Sequence, residues 1–433
     1  MVMIEGMRAP TIYAIDFGTS NSLVAAANAD EVFEPIPLDP DASDPTILRS
    51  IVYFPNADRF HVGEEALAKY VEHGLEGRLL RSLKRHLPSR SFRGTYIDDR
   101  PMLVEDLVAV LLREMRKRAN AHFGVDVRRV VLGRPARFST DDIDDDFAER
   151  RLKSAAERAG FEEIHFLPEP VAAAREFRAV FRGDQTGSVL VCDFGGGTSD
   201  FTVMRLGDAP FTRDDVLAIG GVALAGDALD AGIMRAEVAK NFGADVEYKV
   251  PFGSNVLRMP TQIAEQLCSP AQLSILRRPD VAEFLRNVRT WALGADDREK
   301  LDQLKTLVDD ALGFQLFEVI ERSKRKLSTA DVADVDFVYP SIDVHERITR
   351  ARFEEASDRA AKAILACLDD TVDRAGIGRD GIDVVCCTGG TAKVPLLSRE
   401  IAARFGAHKL HDFKSFHSVV QGLAHHARSV AAG

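Results

Sequence analysis

The sequence predicts an α/β protein in which one strand-turn-strand unit occurs twice. Three observations carry this. "TIYAIDFGTSNSLVAA" (11–26) and "VLVCDFGGGTSDFTVM" (189–204) repeat an apolar strand, an Asp-Phe-Gly corner and a run of small hydroxyl residues. Strand-like and helix-like apolar spacing alternate along both halves, which points to a duplicated α/β unit. At 433 residues the chain exceeds what one hydrophobic core organises, so roughly three domain-sized units are expected, and two subdivided lobes would fit.

In chain order, residues 12–27 read as strand, tight turn and strand, with a further strand at 50–54. Residues 102–123, "MLVEDLVAVLLREMRKRANAHF", place apolar side chains at helical spacing. "RRVVLGRPARF" is a short buried strand ended by Pro135, and "DFAERRLKSAAERAG" is a helix stopped by Gly160. "EEIHFLPEP" is a strand stopped by prolines, and "VAAAREF" starts the next helix. The second half repeats the order: "SVLVCDFGGG" and "DFTVMRL" form a hairpin, helices cover 300–329 and 350–375, and "GIDVVCCTGG" is a buried strand. Between Asp230 and Glu321 lie scattered Pro, Gly and charge with no readable motif, and a subdomain or insertion is expected there.

Composition narrows the function. Apolar residues make up 45% and charged residues 28% of the chain. No window approaches the ~18 uncharged apolar residues of a membrane span, so no membrane role is expected. The start, "MVMIEGMRAPT", carries Glu5 and Arg8 and no apolar stretch, which argues for a cytoplasmic protein without a secretory signal. Cys192, Cys268, Cys367, Cys386 and Cys387 include no C-x-x-C pair and read as small core residues of a reducing compartment. A net charge of −11 argues against nucleic acid as a partner. On charge alone, the basic runs "RLLRSLKRHLPSR" and "ERSKRKLS" read as solvated helix faces. No G-x-x-x-x-G-K-[ST] occurs, which excludes a P-loop. No His/Cys metal constellation is visible either, His425 and His426 being a lone pair on the terminal helix.

The repeated hairpins carry the chemistry. A buried strand ends in Asp16, and Gly18, Thr19, Ser20 and Asn21 follow, so backbone N–H groups and hydroxyls converge on one anion-binding concavity. A carboxylate beside a phosphate is repelled by roughly 4 kcal/mol at about 4 Å for an effective dielectric of about 20. Asp16 therefore calls for a cation between them, and Mg²⁺ accepts carboxylate and phosphate oxygens while keeping waters. The second hairpin offers Asp193, then Gly195, Gly196, Gly197 and Thr198, then Asp200. A single D-x-G-T also reads as a Gly-stabilised turn. Recurrence in matching strand contexts favours two half-sites that grip a polyphosphate from both sides.

"AIDFGTSNS", "LPEPVAAA", "VCDFGGGTSDFTV", "ERSKRKLS", "ITRARFEE" and "TGGTAKVP" occur in the order, and near the spacing, of one known domain. The chain resembles the nucleotide-binding domain of the 70-kilodalton heat-shock chaperone family, DnaK type, and within it the short YegD-like members. The match covers most of residues 11–230 and 315–427. It implies an actin-like ATPase fold of two lobes, each with a ribonuclease-H-like mixed sheet, with ATP or ADP and Mg²⁺ in the cleft. Lobe I would cover 1–187 and lobe II 188–415, with an inserted subdomain at about 231–320 and a closing helix at 416–433.

Carried over by position, Asp16 and Asp193 match the family's magnesium-shell carboxylates. Thr19, Ser20, Asn21, Gly196, Gly197 and Thr198 match its phosphate contacts, with Gly18 and Gly195 in the same loops, and Gly221, in "IGGVALAGDALD", is also expected to bind the nucleotide. Lys84 falls where the family keeps its catalytic lysine, and Glu169 resembles the carboxylate that orients the attacking water; Asp193 and Thr198 complete the implied catalytic set. Pro135 matches the proline that relays nucleotide state. Glu321, Lys324, Arg325 and Ser328, spaced i, i+3, i+4 and i+7 on one helical face, match the adenosine-contacting helix. Gly389 and Gly390 admit close backbone approach on the nucleotide's other side, and Lys393 stands where the family commonly has arginine.

The chain also departs from the family. Chaperone members continue into an apolar linker and a peptide-binding domain, which this chain, ending at Gly433, is expected to lack. A nucleotide-facing acid of the closing segment is replaced by Phe416 or its neighbours, and "IGGVALAGDALD" is longer than the family's equivalent turn. Residues 231–320 depart most and are the expected site of a protein partner. The expected function is a chaperone-type ATPase that binds Mg-ATP and slowly hydrolyses it as a conformational switch. The alternatives are a non-catalytic nucleotide-sensing scaffold and a small-molecule kinase. Against the kinase, "ERSKRKLS" and "LPEPVAAA" follow the chaperone pattern and no sugar-binding carboxylate cluster is evident.

Overall fold

A computed structural model describes residues 9–433 apart from 75, 139–140, 176–186, 208–212, 252, 271, 311 and 413–416. Phe416 therefore lies outside the described residues. The chain packs as two compact units. The first comprises Met1–Gly221, Cys367–Gly390 and Ala402–Gly433, and the second Val222–Ala366 and Thr391–Ile401.

Two mixed sheets build the first unit. One runs, in spatial order, Val32–Phe33, Asn21–Ala27, Ile12–Phe17, Arg129–Arg134 and Glu163–Pro168, with Leu48–Arg49 also paired to Asn21–Ala27. The other runs Val216–Val222, Ser199–Leu206, Gly187–Phe194, Val384–Thr388 and Leu410–Asp412. In each, an antiparallel hairpin opens the sheet and its first strand also pairs in parallel with a strand reached by a long crossover. The duplication extends to register. Phe17 lies opposite Ser22 and Phe194 opposite Ser199, so residues 18–21 and 195–198 occupy equivalent turns.

Helices take their expected places. The helix Val104–Phe123 buries Leu107, Val108, Leu111, Leu112, Met115 and Ala119, and stops at Gly124, whose φ of 70° is left-handed. The helix Asp142–Arg158 starts where the Asp141 carboxylate accepts the N–H groups of Ile143 and Asp144. Ala148, Leu152, Ala155 and Ala156 turn its apolar stripe into the same core as the first of these helices and the first sheet. A second core of this unit joins apolar residues of both sheets, among them Ile12, Val131, Val191 and Cys386, with the helices Glu169–Arg175 and Ser418–Ala432. Those helices touch at Gly422, where a Cβ would stand 1.9 Å from the Ala172 carbonyl oxygen. Cys192, Cys268, Cys386 and Cys387 are buried and all five cysteines are free thiols.

The second unit has one apolar core. Ile233, Phe242, Leu267, Val288 and Leu304 from the motif-poor stretch share it with Leu316, Ile320, Leu327 and the hairpin Val332–Tyr339/Ile342–Thr349. The stretch folds as helices that include Thr261–Leu267 and Pro279–Trp291. The helical region expected at 300–329 consists of two helices, Asp297–Asp309 and Gly313–Leu327. Among the described residues, no helix is long and apolar enough to cross a membrane.

Candidate functional site

The two equivalent turns are braced differently. At the first, Ser50 donates its N–H to the Ser20 carbonyl and its hydroxyl to the Gly18 carbonyl, each at 2.8 Å. A Cβ on Gly18 would stand 2.2 Å from the Asn21 carbonyl oxygen, so the turn between Asp16 and Asn21 closes only around glycine. At the second, the Gly195 N–H donates to the Thr198 carbonyl at 2.9 Å, and the Thr198 hydroxyl donates to Asp200 at 3.0 Å. Asp193 accepts the Thr388 hydroxyl at 2.7 Å across the parallel strand pair. Gly389 follows Thr388 with φ of 84°, and a Cβ there would stand 2.1 Å from the Phe194 carbonyl oxygen. Gly221 lies beside Asp200, which a Cβ would approach to 2.7 Å. Thr19, Gly196 and Gly197 are partly accessible, and Ser20 and Gly390 are exposed.

Lys84 is the largest departure from a reading on charge alone. The basic run that suggested a solvated face forms the strand Arg78–Arg81 and a single 3₁₀ turn, Leu83–His86, entered through Ser82 at φ of 57°. Lys84 is buried in that turn and its Nζ donates to Glu169 Oε1 at 2.5 Å. Only 9% of the lysine and 12% of the glutamate side chain remain exposed. Glu169 opens the helix Glu169–Arg175 directly after the strand ending at Pro168, and Pro170 suits the first helical turn. Pro135 follows the strand Arg129–Arg134 as expected, and its carbonyl accepts Arg134 Nε at 3.1 Å.

The charges around this pair do not balance. Burial, then the neighbouring Glu169, push the Asp16 carboxyl up to about 8, with Asp193 adding to the effect and Lys84 opposing it. Burial also raises Glu169, against the pull of Lys84. Burial works against the Lys84 ammonium, yet Glu169 and Asp16 hold its pKa above the ordinary lysine value. One buried ammonium thus faces the carboxyls of Asp16, Glu169 and Asp193, a set of hard oxygen donors short of positive charge. Mg²⁺ fits that need. Among the described residues, no three His, Cys, Asp or Glu side chains form a closed ligand set. A metal here would take further ligands from water and phosphate.

Of the residues matched to adenosine contacts, Glu321, Lys324, Arg325, Ser328 and Lys393 belong to the second unit, and Gly389 and Gly390 to the first. Glu321, Lys324 and Arg325 lie on the helix Gly313–Leu327, and Ser328 caps its end. Their shared face is split by burial. Lys324 points inward, donating to Asp230 at 2.7 Å and to the Gly226 carbonyl at 3.2 Å, whereas Arg325 is exposed and pairs with Glu321 at 2.5 Å. Burial pushes the Asp230 carboxyl up to about 7 against the pull of Lys324, and its Oδ1 is buried without a hydrogen-bond partner. Lys393 is exposed at the end of the 3₁₀ turn Gly390–Lys393. Sequence reasoning missed Thr388 and Asp230. Thr388 was findable beside Gly389 in "CCTGG", but the partner of Asp230 lies 94 residues away and leaves no local signal.

A family model described as Hsp70 protein matches residues 95–266 and 295–431, well over half of the chain. Among curated proteins, Chaperone protein DnaK of Thermotoga neapolitana is 25% identical over 405 residues, covering 91% of this chain and 55% of that protein. The proteins of the same name from Thermotoga maritima and Thermosipho melanesiensis are 24% and 23% identical, with the same coverage. The chain thus spans about half the length of these relatives.

Proposed function

Because the chain belongs to the Hsp70 protein family, we propose that it is a chaperone-type ATPase that binds Mg-ATP and hydrolyses it slowly as a conformational switch. The observation that carries this reading is the Lys84–Glu169 pair lying among Asp16 and Asp193, at the ends of the two duplicated strands. Asp16 and Asp193 would hold Mg²⁺, with the loops of Gly18–Asn21 and Gly195–Thr198 donating to phosphate oxygens. Bound Mg²⁺ would neutralise charge on the phosphates.

Lys84 would stabilise charge spreading over the γ-phosphoryl oxygens, and Glu169 would orient the attacking water and draw its proton. Glu321, Lys324, Arg325, Ser328, Gly389, Gly390 and Lys393 would contact adenosine in an actin-like cleft between two lobes. Closure of those lobes would change a surface read by a protein partner at 231–320, in the cytoplasm. Phosphate release from ATP tests the reading. Wild-type protein should turn over, Lys84→Ala and Glu169→Ala should each lose about 10²-fold or more, and unchanged turnover in both variants would refute it. Tight Mg-ATP binding with no turnover above the Glu169→Ala level would instead favour the nucleotide-sensing scaffold.

A further inference from the structure

We propose that Arg151 is a positioning residue for Lys84, an inference that rests on the ATPase reading above. Arg151 lies on the helix Asp142–Arg158 and is 6% exposed. Its Nη1 lies within hydrogen-bond reach of four backbone carbonyls of the segment that follows Lys84: His86 at 3.2 Å, Leu87 at 3.3 Å, Ser89 at 3.0 Å and Phe92 at 3.3 Å. Nη2 also reaches Phe92, and Nε donates to Glu105 at 3.1 Å. The guanidinium stacks 4.6 Å from the Phe147 ring centre.

Leu83 and Leu87 anchor the segment in the first core and Arg90 pairs with Asp144 at 2.5 Å, but neither contact takes up the converging carbonyls that Arg151 reaches. The segment's own backbone bonds are short-range, from Arg85 to Ser82, Leu87 to Lys84 and Ser89 to His86. It is entered through a non-glycine residue in the left-handed region, Ser82, a conformation that persists only where the surroundings impose it. A guanidinium with five N–H donors in a planar fork satisfies several converging carbonyls; a lysine offers a single point charge.

The same helix supports the other member of the pair. Asp145 and Glu149 both accept from Arg134, at 2.7 Å for Asp145. Arg134 ends the strand whose register sets it opposite Pro168, the residue before Glu169. The helix Asp142–Arg158 therefore backs the lysine through Arg151 and the approach to the glutamate through Arg134.

The test combines hydrogen exchange on the nucleotide-free protein with ATP turnover for Arg151→Met. The expected result is faster exchange confined to residues 85–92, kcat lower by about tenfold or more, and KM within about threefold. Arg151→Lys should behave like Arg151→Met, and free methylguanidinium should partly restore Arg151→Ala. Arg116→Met is the control for losing a structural arginine, since Arg116 donates to the Val127 carbonyl and Asp126 away from Lys84. It should leave both readouts at the wild-type level. Unchanged exchange at 85–92 overturns the inference, as does a kcat that falls only with the folded fraction. If the wild type itself shows no turnover, the ATPase reading fails, and the exchange result alone then decides whether Arg151 orders the Lys84 segment.

Discussion

Asp16 makes the sharpest chemical demand of any residue in the first unit, because burial and neighbouring carboxyls push it up to about 8. Cation binding needs the carboxylate, so below that pH a bound proton must be displaced. Mg²⁺-dependent nucleotide affinity should therefore rise from pH 6 to about pH 8 and level off above, and Asp16→Asn should be weak and flat across the range; titration calorimetry in steps of pH checks both. The buried Lys84–Glu169 pair yields a second residue-level expectation. Lys84→Met strips the partner from a buried carboxyl and should cost about 3 kcal/mol of stability in urea unfolding, with part of the loss recovered in the double variant with Glu169→Gln. The identities of these residues were legible in the sequence because the motif around each is local. Their environments were not: Lys84 sits in a run of arginines that reads as solvated, and only Glu169, 85 residues away, explains its burial.

At the scale of elements, the duplicated hairpin was legible down to its turn, since alternating apolar positions and glycines at the corners determine strand, register and loop together. The strand Arg129–Arg134 and the helices Val104–Phe123 and Asp142–Arg158 were likewise marked by periodicity, proline and glycine. The region 231–320 was illegible for a physical reason. Outside the helical spacing read from residue 300, its elements bury residues such as Ile233, Phe242 and Leu267 into a core completed by Leu316, Ile320 and the hairpin that follows, so the partners that explain them are distant in sequence. The contact between the helices Glu169–Arg175 and Ser418–Ala432 depends on Gly422. Gly422→Ala should separate them at a cost of about 1–3 kcal/mol. Thermal unfolding should show the loss, and Ala424→Gly on the same helix should not reproduce any accompanying fall in turnover.

For the whole molecule, packing gives two units, with Asp16, Lys84, Glu169 and Asp193 in the first and Glu321, Lys324 and Arg325 in the second. Arg325 is exposed and its loss leaves the buried Lys324–Asp230 pair intact. Arg325→Met should thus weaken ATP by about three- to tenfold, as loss of a contact with the base would, while leaving inorganic tripolyphosphate binding unchanged in a competition assay.

The proposed function requires that the duplicated acidic turns bind a nucleotide through a divalent cation. Calorimetric titration of ATP into the wild-type protein, with Mg²⁺ and then with excess EDTA, measures this directly. Saturable one-site binding that requires Mg²⁺ and is lost in Asp16→Asn is the predicted result, and absence of binding, or equal binding in EDTA, would contradict it.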